Sequence, residues 1–240
     1  MLTPANYTNL REIVAYVQGQ KFDSDREKIN YIRNWVKSNS IHMIDKEHDE
    51  YAFNLPIVLS KLNQCSKGLG SKPHLSCGPR AYAMKEVLDS LNIKNRIIDL
   101  FGLSGSEVSK VSPHTLIEVF EEDKQSWSLQ DPDFNVAYMD KTSGNYLSVR
   151  EILKLPEGQL TYDSHGFEIE NIINLKNTID RLFEFCVLYR LSYVGKKSVL
   201  LVNVARNKLN NNVVDDSGTV LLFSEYICSR DYKYHVEWLA

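Results

Sequence analysis

The sequence predicts an α+β fold in which N-terminal helices, and a further helix that begins at Cys77, pack on an antiparallel sheet. Apolar residues recur at helical spacing through the N-terminal part of the chain. Segments 96–101 and 115–120 are instead rich in β-branched and aromatic residues, which favour strands. Ser-x-x-Glu capping boxes at Ser24 and Ser148 mark two helix starts.

Three helices are expected before the lysine- and glycine-rich stretch that precedes Cys77. The first follows from an apolar stripe of Leu10, Ile13, Val14 and Val17. The second, over 24–38, opens with a capping box, and the third, over 54–64, tolerates a proline in its first turn. The intervening segment 41–51 is polar, charged and aperiodic, which predicts a surface loop.

The helix that begins at Cys77 is expected to run to residue 91. Pro79 favours a helix start, and four apolar residues at helical spacing form one face of the helix: Ala81, Met84, Leu88 and Leu91. After the two strands already named, a short third strand at 127–129 ends at Asp131-Pro132. Pro156 limits the helix that opens at Ser148.

We expect two parts in the chain, a core over 1–155 and a C-terminal α/β extension over 156–240 whose role the sequence does not define. In the extension, an apolar stripe predicts a long buried helix: Ile172, Leu175, Ile179, Leu182, Phe183 and Cys186. Three later segments predict strands: 198–206, 219–229 and 232–238.

The composition predicts an ordinary globular protein. Of the 240 residues, 43% are hydrophobic and 25% charged, and the net charge is −3. No bulk attraction to nucleic acid or to an anionic membrane is therefore expected. The N-terminus lacks the pattern of a signal peptide, and four scattered cysteines do not form a disulfide framework. A reducing, cytoplasmic setting is the expectation.

Cys77 stands where a thiol can become reactive. The thiolate is the nucleophilic form of cysteine, and the partial positive charge of a helix N-terminus favours it. Backbone N–H groups at the helix start, including that of Gly78, can also point at a developing oxyanion. The position therefore predicts a nucleophile.

The strands after this helix can set a histidine beside an aspartate. A turn centred on Glu122 and Asp123 would pair Phe120 with Gln125, Glu118 with Trp127, Leu116 with Leu129, and His114 with Asp131. Directly opposed side chains lie about 4.5–5.5 Å apart at Cβ and share one face of the sheet. The Asp131 carboxylate would then orient His114 toward Cys77.

These residues resemble the core of the transglutaminase-like superfamily over roughly 25–155. Three blocks stand in the family's order: Cys77-Gly78 with Leu91-Asn92-Ile93 and Arg96, His114 with Ile117-Glu118-Val119, and Trp127 with Asp131-Pro132-Asp133-Phe134-Asn135. The resemblance implies a papain-like fold in which Cys77 is the nucleophile, His114 the general base and Asp131 the orienting carboxylate. It leaves the substrate open, because the superfamily holds cross-linking enzymes, proteases, deglycosylases and inactive members.

Such a triad transfers an acyl group from an amide or related bond through a thioester, and it requires no metal or organic cofactor. The acceptor is water in a protease or amidase and an amine in a cross-linking enzyme, and the triad is the same for both. The expected partner is a peptide, a protein or a small amide or acyl substrate, with no nucleic acid and no membrane span. The rival interpretation is a non-catalytic module that keeps the fold as a binding surface or scaffold.

The resemblance also implies an aromatic or glutamine side chain upstream of the nucleophile that helps to bind the oxyanion. The sequence singles out no position for it, and Gln64, Trp35 and Tyr51 are all candidates. Trp127 is a further candidate for contact with the substrate.

Other polar groups have simpler interpretations. One cluster has metal-ligand residue types but no metal-site spacing, which predicts a solvated loop: His42, Asp45, Glu47, His48, Asp49 and Glu50. His74 is expected to be a loop histidine near the cleft. Four basic residues predict either a solvated loop or a docking site for an acidic acyl donor: Lys61, Lys67, Lys72 and Arg80. Cys65 is expected to be a free loop thiol, and Cys186 and Cys228 to lie in the core.

Overall fold

The structure is a computed structural model of the chain. It describes residues 4–104, 107–108, 114–152, 154–156, 158–181, 185–194, 197–205 and 233–239, with side chains at 8–98, 114–152, 154–156 and 158–176. The chain divides into a first unit, Met1–Asn95 with Leu116–Ile172, and a second unit, Arg96–Thr115 with Ile173–Ala240. The division differs from the boundary expected after residue 155, because residues 156–172 group with the first unit and residues 96–115 with the second.

The described helices are α1 (Pro4–Gln18), α2 (Asp25–Ser38), α3 (Lys46–Tyr51), α4 (Leu55–Ser66), α5 (Cys77–Ser90), α6 (Val149–Ile152) and α7 (Ile172–Arg181). The described strands are β1 (Ile41–His42), β2 (His74–Leu75), β3 (Asn95–Ser104), β4 (Glu107–Val108), β5 (His114–Glu121), β6 (Ser126–Asp131), β7 (Val136–Asp140), β8 (Leu160–Asp163), β9 (Phe185–Val194), β10 (Lys197–Ala205) and β11 (Lys233–Leu239).

In the first unit, the helices bury the stripes that predicted them. Pairs of residues on α1, α2, α4 and α5 are almost fully buried: Ile13, Val17, Ile32, Val36, Val58, Leu62, Met84 and Leu88. Helix α2 opens as expected, since the Ser24 hydroxyl accepts a hydrogen bond from the Glu27 N–H at 3.2 Å. Helix α5 packs against α1, α2 and α4, so removal of apolar surface from water holds it in the middle of the helical layer.

The segment 41–51 is not the surface loop that its polarity predicted. Residues Ile41–His42 form β1, which pairs in parallel with β2, and the following residues form α3. The Asp45 carboxylate caps α3 by accepting a hydrogen bond from the His48 N–H at 3.0 Å. A two-residue strand depends on a partner far along the chain, and a six-residue helix is too short to show an apolar period.

Strands β5 to β8 form an antiparallel sheet in the order β5-β6-β7-β8, and the first unit contains β5 from Leu116 onward. The second predicted capping box is present, because the Ser148 N–H donates to Glu151 Oε2 at 2.8 Å and the Glu151 N–H donates to Ser148 Oγ at 3.3 Å. The prediction of a mixed α+β protein with an antiparallel sheet is confirmed.

The predicted register between β5 and β6 is wrong by two residues. Phe120 pairs with Trp127 and Glu118 with Leu129, whereas the sequence placed Gln125 and Trp127 opposite them. The turn is longer than expected, because Lys124 N–H bonds the Glu121 carbonyl at 3.2 Å and Gln125 takes a left-handed backbone with φ 51°. The same correction removes the pairings of Leu116 with Leu129 and of His114 with Asp131, since Gln130 pairs with Ile117. Within the paired residues, 117–121 and 126–130, a shift of two leaves each side chain on its predicted face.

In the second unit, β9 pairs antiparallel with β3 and with β10, and β10 pairs in parallel with β11. Strands β10 and β11 match two predicted strands, and the third, over 219–229, lies outside the described residues. The predicted long helix ends at Arg181, and Cys186 belongs to β9. The aromatic and β-branched sequence of β9 pairs with β3, which overrides the helical spacing.

No helix in the described part of the chain is both long and apolar enough to cross a membrane.

Candidate active site

The start of α5 has the geometry expected of a nucleophile position. Ser76 is the N-cap, with an extended backbone (φ −88°, ψ −179°), and Cys77 is the first helical residue of this fourteen-residue helix. In the part of the chain with described side chains, Cys65 and Cys77 are both half-buried thiols. Only Cys77 of these two lies at a helix N-terminus, where the helix dipole stabilises negative charge.

The Asp131 side chain is buried and fixed at the end of β6. Its Oδ1 accepts hydrogen bonds from the backbone N–H groups of Asp133 at 2.9 Å and Phe134 at 3.0 Å. Its Oδ2 accepts the Tyr138 hydroxyl at 3.0 Å. Burial, reinforced by the Asp131 charge, raises the pKa of Tyr138 well above its usual value, so this phenol stays protonated and donating. The Asp131 carboxylate is therefore an oriented acceptor.

His114 is the first residue of β5 and is half-buried. The division into units assigns it to the second unit, whereas Cys77 and Asp131 belong to the first. The function of His114 as the base for Cys77, oriented by Asp131, stays a prediction.

A buried arginine ties the first turn of α5 to the turn that follows Asp131. Arg80 lies one turn after Cys77, and its Nη1 donates to the Asp133 carbonyl at 2.9 Å and to Asp133 Oδ1 at 3.1 Å. The same Nη1 donates to Glu170 Oε2 at 2.9 Å. The guanidinium is fully buried. Arg80 is therefore not part of a solvated basic loop, and the ion pair brings the helix of Cys77 and the turn of Asp131 together.

His42 completes this group, which we call the Asp133 network (His42, Arg80, Asp133 and Glu170). His42 Nδ1 lies 2.7 Å from Asp133 Oδ1, and the His42 N–H donates to Glu170 Oε1 at 3.1 Å. The hydrogen bond to Asp133 raises the pKa of His42 above its usual value, although burial and Arg80 oppose this shift. The sequence offered a weak signal for Arg80, three residues after Cys77, and none for Glu170.

The other side of the same helix start is held by residues of α3, which we call the α3 clamp (Asp45, His48, Asp49 and Tyr51). His48 Nε2 lies 3.0 Å from Ser76 Oγ, and the Tyr51 hydroxyl accepts the His74 N–H at 2.7 Å. His48 is only 3% exposed, so the expectation of a solvated charged loop is wrong for it. Sequence reasoning missed the contact because α3 and Ser76 meet only through the fold.

His74 belongs to the same arrangement. It lies in β2, and its Nδ1 is 2.9 Å from Asp45 Oδ2. It is thus held by two residues of the α3 clamp, and it is not a loose loop histidine. The described residues contain no group of three or more His, Cys, Asp or Glu side chains arranged to hold a metal ion.

The candidates for the oxyanion hole differ in what their donors contact. Gly78 is the second residue of α5. Trp35 of α2 is 6% exposed, and its buried Nε1–H has no hydrogen-bond partner among the described residues. Gln64 is exposed on α4 and its amide donates to Ser60 Oγ at 3.4 Å. Trp35 is therefore the side chain with an unused buried donor.

The two remaining candidates make other contacts. The Tyr51 hydroxyl donates its proton to Glu47 Oε1 at 2.8 Å, and burial raises the pKa of Tyr51 above its usual value. The Trp127 ring packs on Phe120 across the strand pair, with ring centroids 5.3 Å apart at 61°. Both rings are used within the scaffold.

Comparisons with known proteins leave the family open. No protein-family model matches the chain, and no curated protein matches it. One solved structure, from Cytophaga hutchinsonii and named "Putative Cysteine Protease", aligns with a TM-score of 0.35 and 12% identity. The alignment covers 55% of this chain and 43% of that one, so the chain spans less than half of that structure's length. A likeness this weak carries no argument about fold or activity.

Proposed function

We propose that the protein is a cysteine-dependent enzyme that transfers an acyl group from an amide or related acyl bond. The observation that carries the proposal is the position of Cys77, a half-buried thiol at the first residue of α5. Negative charge on sulfur is stabilised there by the helix dipole, and backbone N–H groups at the helix start suit a developing oxyanion. The oriented Asp131 carboxylate adds support, because an imidazole base requires such an acceptor.

The reaction proceeds through a thioester. Cys77 sulfur bonds to the carbonyl carbon while His114 takes the thiol proton, and the carbonyl electrons move onto oxygen. The tetrahedral intermediate collapses, the carbon–nitrogen bond breaks, and His114 returns the proton to the departing amine. Water or a second amine then attacks the thioester and regenerates the thiol. Asp131 holds the imidazole in the tautomer that both steps require.

Trp35 is the proposed side-chain donor to the oxyanion. Its indole N–H is buried without a partner, and an unused buried donor is costly unless a ligand satisfies it. Helix α2 packs against α5, and the strand after α2, β1, pairs with β2 directly before Ser76. The C-terminal part of α2 thus approaches the helix start that carries Cys77.

Reaction with an activated ester tests the proposal without knowledge of the substrate. Wild-type protein is mixed with p-nitrophenyl acetate at pH 7, and the acetyl adduct is located by intact mass and peptide mapping. Cys77 should be acetylated, the Cys77→Ala variant should not be, and Cys65→Ala should behave as the wild type. Equal labelling of Cys65 and Cys77 would favour the non-catalytic module instead.

Three further variants separate the other functions. His114→Ala should acetylate slowly near neutral pH and recover at high pH, because the thiolate then forms without a base. Asp131→Asn should lower turnover by up to about 10⁴-fold, as the equivalent change does in serine proteases. Trp35→Phe, which removes only the N–H, should lower the rate about 10²-fold. An unchanged rate in His114→Ala would remove this histidine from the mechanism.

A further inference from the structure

Ser76 is the N-cap residue of α5, but its side chain does not cap the helix. Ser76 has the extended backbone of a capping residue, yet its hydroxyl makes no capping hydrogen bond within the described structure. Pro79 occupies the third helical position and has no N–H, so the Gly78 N–H is the donor that a capping hydroxyl could still use. The Ser76 hydroxyl contacts His48 Nε2 at 3.0 Å instead.

His48 is held at both ring nitrogens and on its face. Its Nδ1 lies 3.0 Å from Asp49 Oδ1, and the Phe53 ring meets it edge-on at 5.7 Å between centroids. A carboxylate only accepts, so Nδ1 carries a proton, and Nε2 is the ring atom that shares a hydrogen bond with the Ser76 hydroxyl. This bond gives the hydroxyl one fixed direction.

Helix α3 holds the chain before Cys77 at a second point. The Tyr51 hydroxyl accepts the His74 backbone N–H at 2.7 Å, two residues before Ser76. On the opposite edge of the same short strand, the Met43 N–H bonds the Leu75 carbonyl at 3.4 Å. The two residues before Ser76 are thus held on both edges of the strand, while the Ser76 hydroxyl bonds to His48 and not to the helix N–H groups.

We propose that His48 is a positioning residue that fixes the Ser76–Cys77 turn and keeps the Ser76 hydroxyl away from the Gly78 N–H, which can then donate to the substrate oxyanion. A hydroxyl that capped the helix would compete with the oxyanion for this donor. The inference rests on the proposed function, because it assigns His48 to the same acyl-transfer site. His48 acts through Ser76 and does not touch the reacting atoms.

Two reagents separate this effect from a general loss of structure. Alkylation of Cys77 by iodoacetamide requires the thiolate but forms no oxyanion, whereas acetylation by p-nitrophenyl acetate passes through one. In His48→Leu we expect acetylation about tenfold slower, a fraction of the loss seen when an oxyanion donor is deleted, with the alkylation rate within about twofold of the wild type. The His48→Gln variant should recover acetylation, because its amide oxygen can accept from Ser76.

Matched controls lie on the same elements. Glu50→Leu changes an exposed residue of α3 in the same way and should leave both rates unchanged. Ser76→Ala removes the other partner of the hydrogen bond and also the hydroxyl that could compete for the helix N–H, so it should slow acetylation less than His48→Leu, and the double variant should resemble Ser76→Ala. The inference is overturned if His48→Leu acetylates at the wild-type rate, or if both reagents slow equally and glutamine restores neither.

Hydrogen exchange of the 74–80 backbone provides a readout that does not depend on activity. Loss of the bond in His48→Leu should speed exchange there about 5- to 10-fold, and glutamine should restore protection. If wild-type Cys77 is not acetylated at all, the proposed function fails. The exchange measurement then tests separately whether His48 fixes the turn. Unchanged exchange in His48→Leu would show that His48 does not fix the turn.

Discussion

The Asp133 network and the α3 clamp hold the same helix start by different physical means. In the Asp133 network, the fully buried Arg80 donates to Asp133 and Glu170, and its Nε and Nη2 have no partner among the described residues. In the α3 clamp, single hydrogen bonds between His48 and Ser76 and between Tyr51 and His74 hold the chain before Cys77. Removing a member of a buried ion pair leaves a charge without compensation, whereas a single hydrogen bond contributes little net free energy.

The difference indicates a division of tasks. The Asp133 network mainly stabilises the fold, because it joins α5 to the turn of Asp131 through buried opposite charges that are costly to separate. The α3 clamp mainly orients the chain, because its hydrogen bonds are weak but fix the direction of the backbone beside the thiol. Substitutions in the Asp133 network should therefore mainly lower the free energy of unfolding, whereas substitutions in the α3 clamp should mainly lower the reactivity of Cys77. Four measurements test this difference.

Substitution of Arg80 should have the largest effect on stability. Arg80→Met keeps the apolar stem of the side chain but removes the guanidinium from the buried Asp133 carboxylate. We expect the free energy of unfolding to fall by about 3–5 kcal/mol, measured by urea denaturation. Lys85→Met, on the exposed side of the same helix, removes an ion pair with Asp89 and should cost less than about 1 kcal/mol. Equal losses of unfolding free energy in the two variants would contradict the view that the Asp133 network is a main source of stability.

The next effect should come from the α3 clamp. Tyr51→Phe removes the hydroxyl that accepts the His74 N–H and donates to Glu47. We expect a loss of about 1 kcal/mol in the free energy of unfolding, together with faster hydrogen exchange at His74. A loss as large as that of Arg80→Met would mean that the clamp is a main source of stability.

The pH dependence of unfolding reports on His42. Its pKa is raised in the folded protein, chiefly by the hydrogen bond to Asp133, so folding favours the protonated ring. The contribution is fully present below the unfolded pKa of about 6.5 and is lost as the pH rises through the higher folded value. Urea denaturation between pH 6 and 9 should show the decline, of less than about 1 kcal/mol because the ring is partly exposed. His42→Gln should flatten this part of the profile.

The smallest effect is expected for Asp49. Its side chain is 72% exposed, so Asp49→Asn should change the free energy of unfolding by at most about 0.5 kcal/mol. An asparagine oxygen still accepts from His48 Nδ1, and acetylation of Cys77 should therefore stay near the wild-type rate. A large loss of acetylation with unchanged stability would show that the charge of Asp49, and not only its acceptor, sustains the His48 orientation.

Sequence patterns with a local physical cause were predicted well. The stripe of Ile13 and Val17 and the capping box at Ser24 define α1 and α2, and Pro79 marks the start of α5 at Cys77. Each of these signals depends on residues within one or two helical turns. The sequence close to the helix is therefore enough to predict it. The face of the sheet on which each β5 and β6 side chain lies was also predicted, because alternation has a period of two.

Only the tertiary structure decided the rest. The register of β5 and β6 depends on a left-handed Gln125 in the turn, and the sequence does not favour that conformation at glutamine. The segment 41–51 becomes β1 and α3 because β2 pairs with one part of it and Ser76 contacts the other. Arg80 is buried because Asp133 and Glu170, far along the chain, neutralise it. The sequence alone placed the thiol at a helix start, but the groups that hold that helix start come from distant segments that meet only in the folded chain.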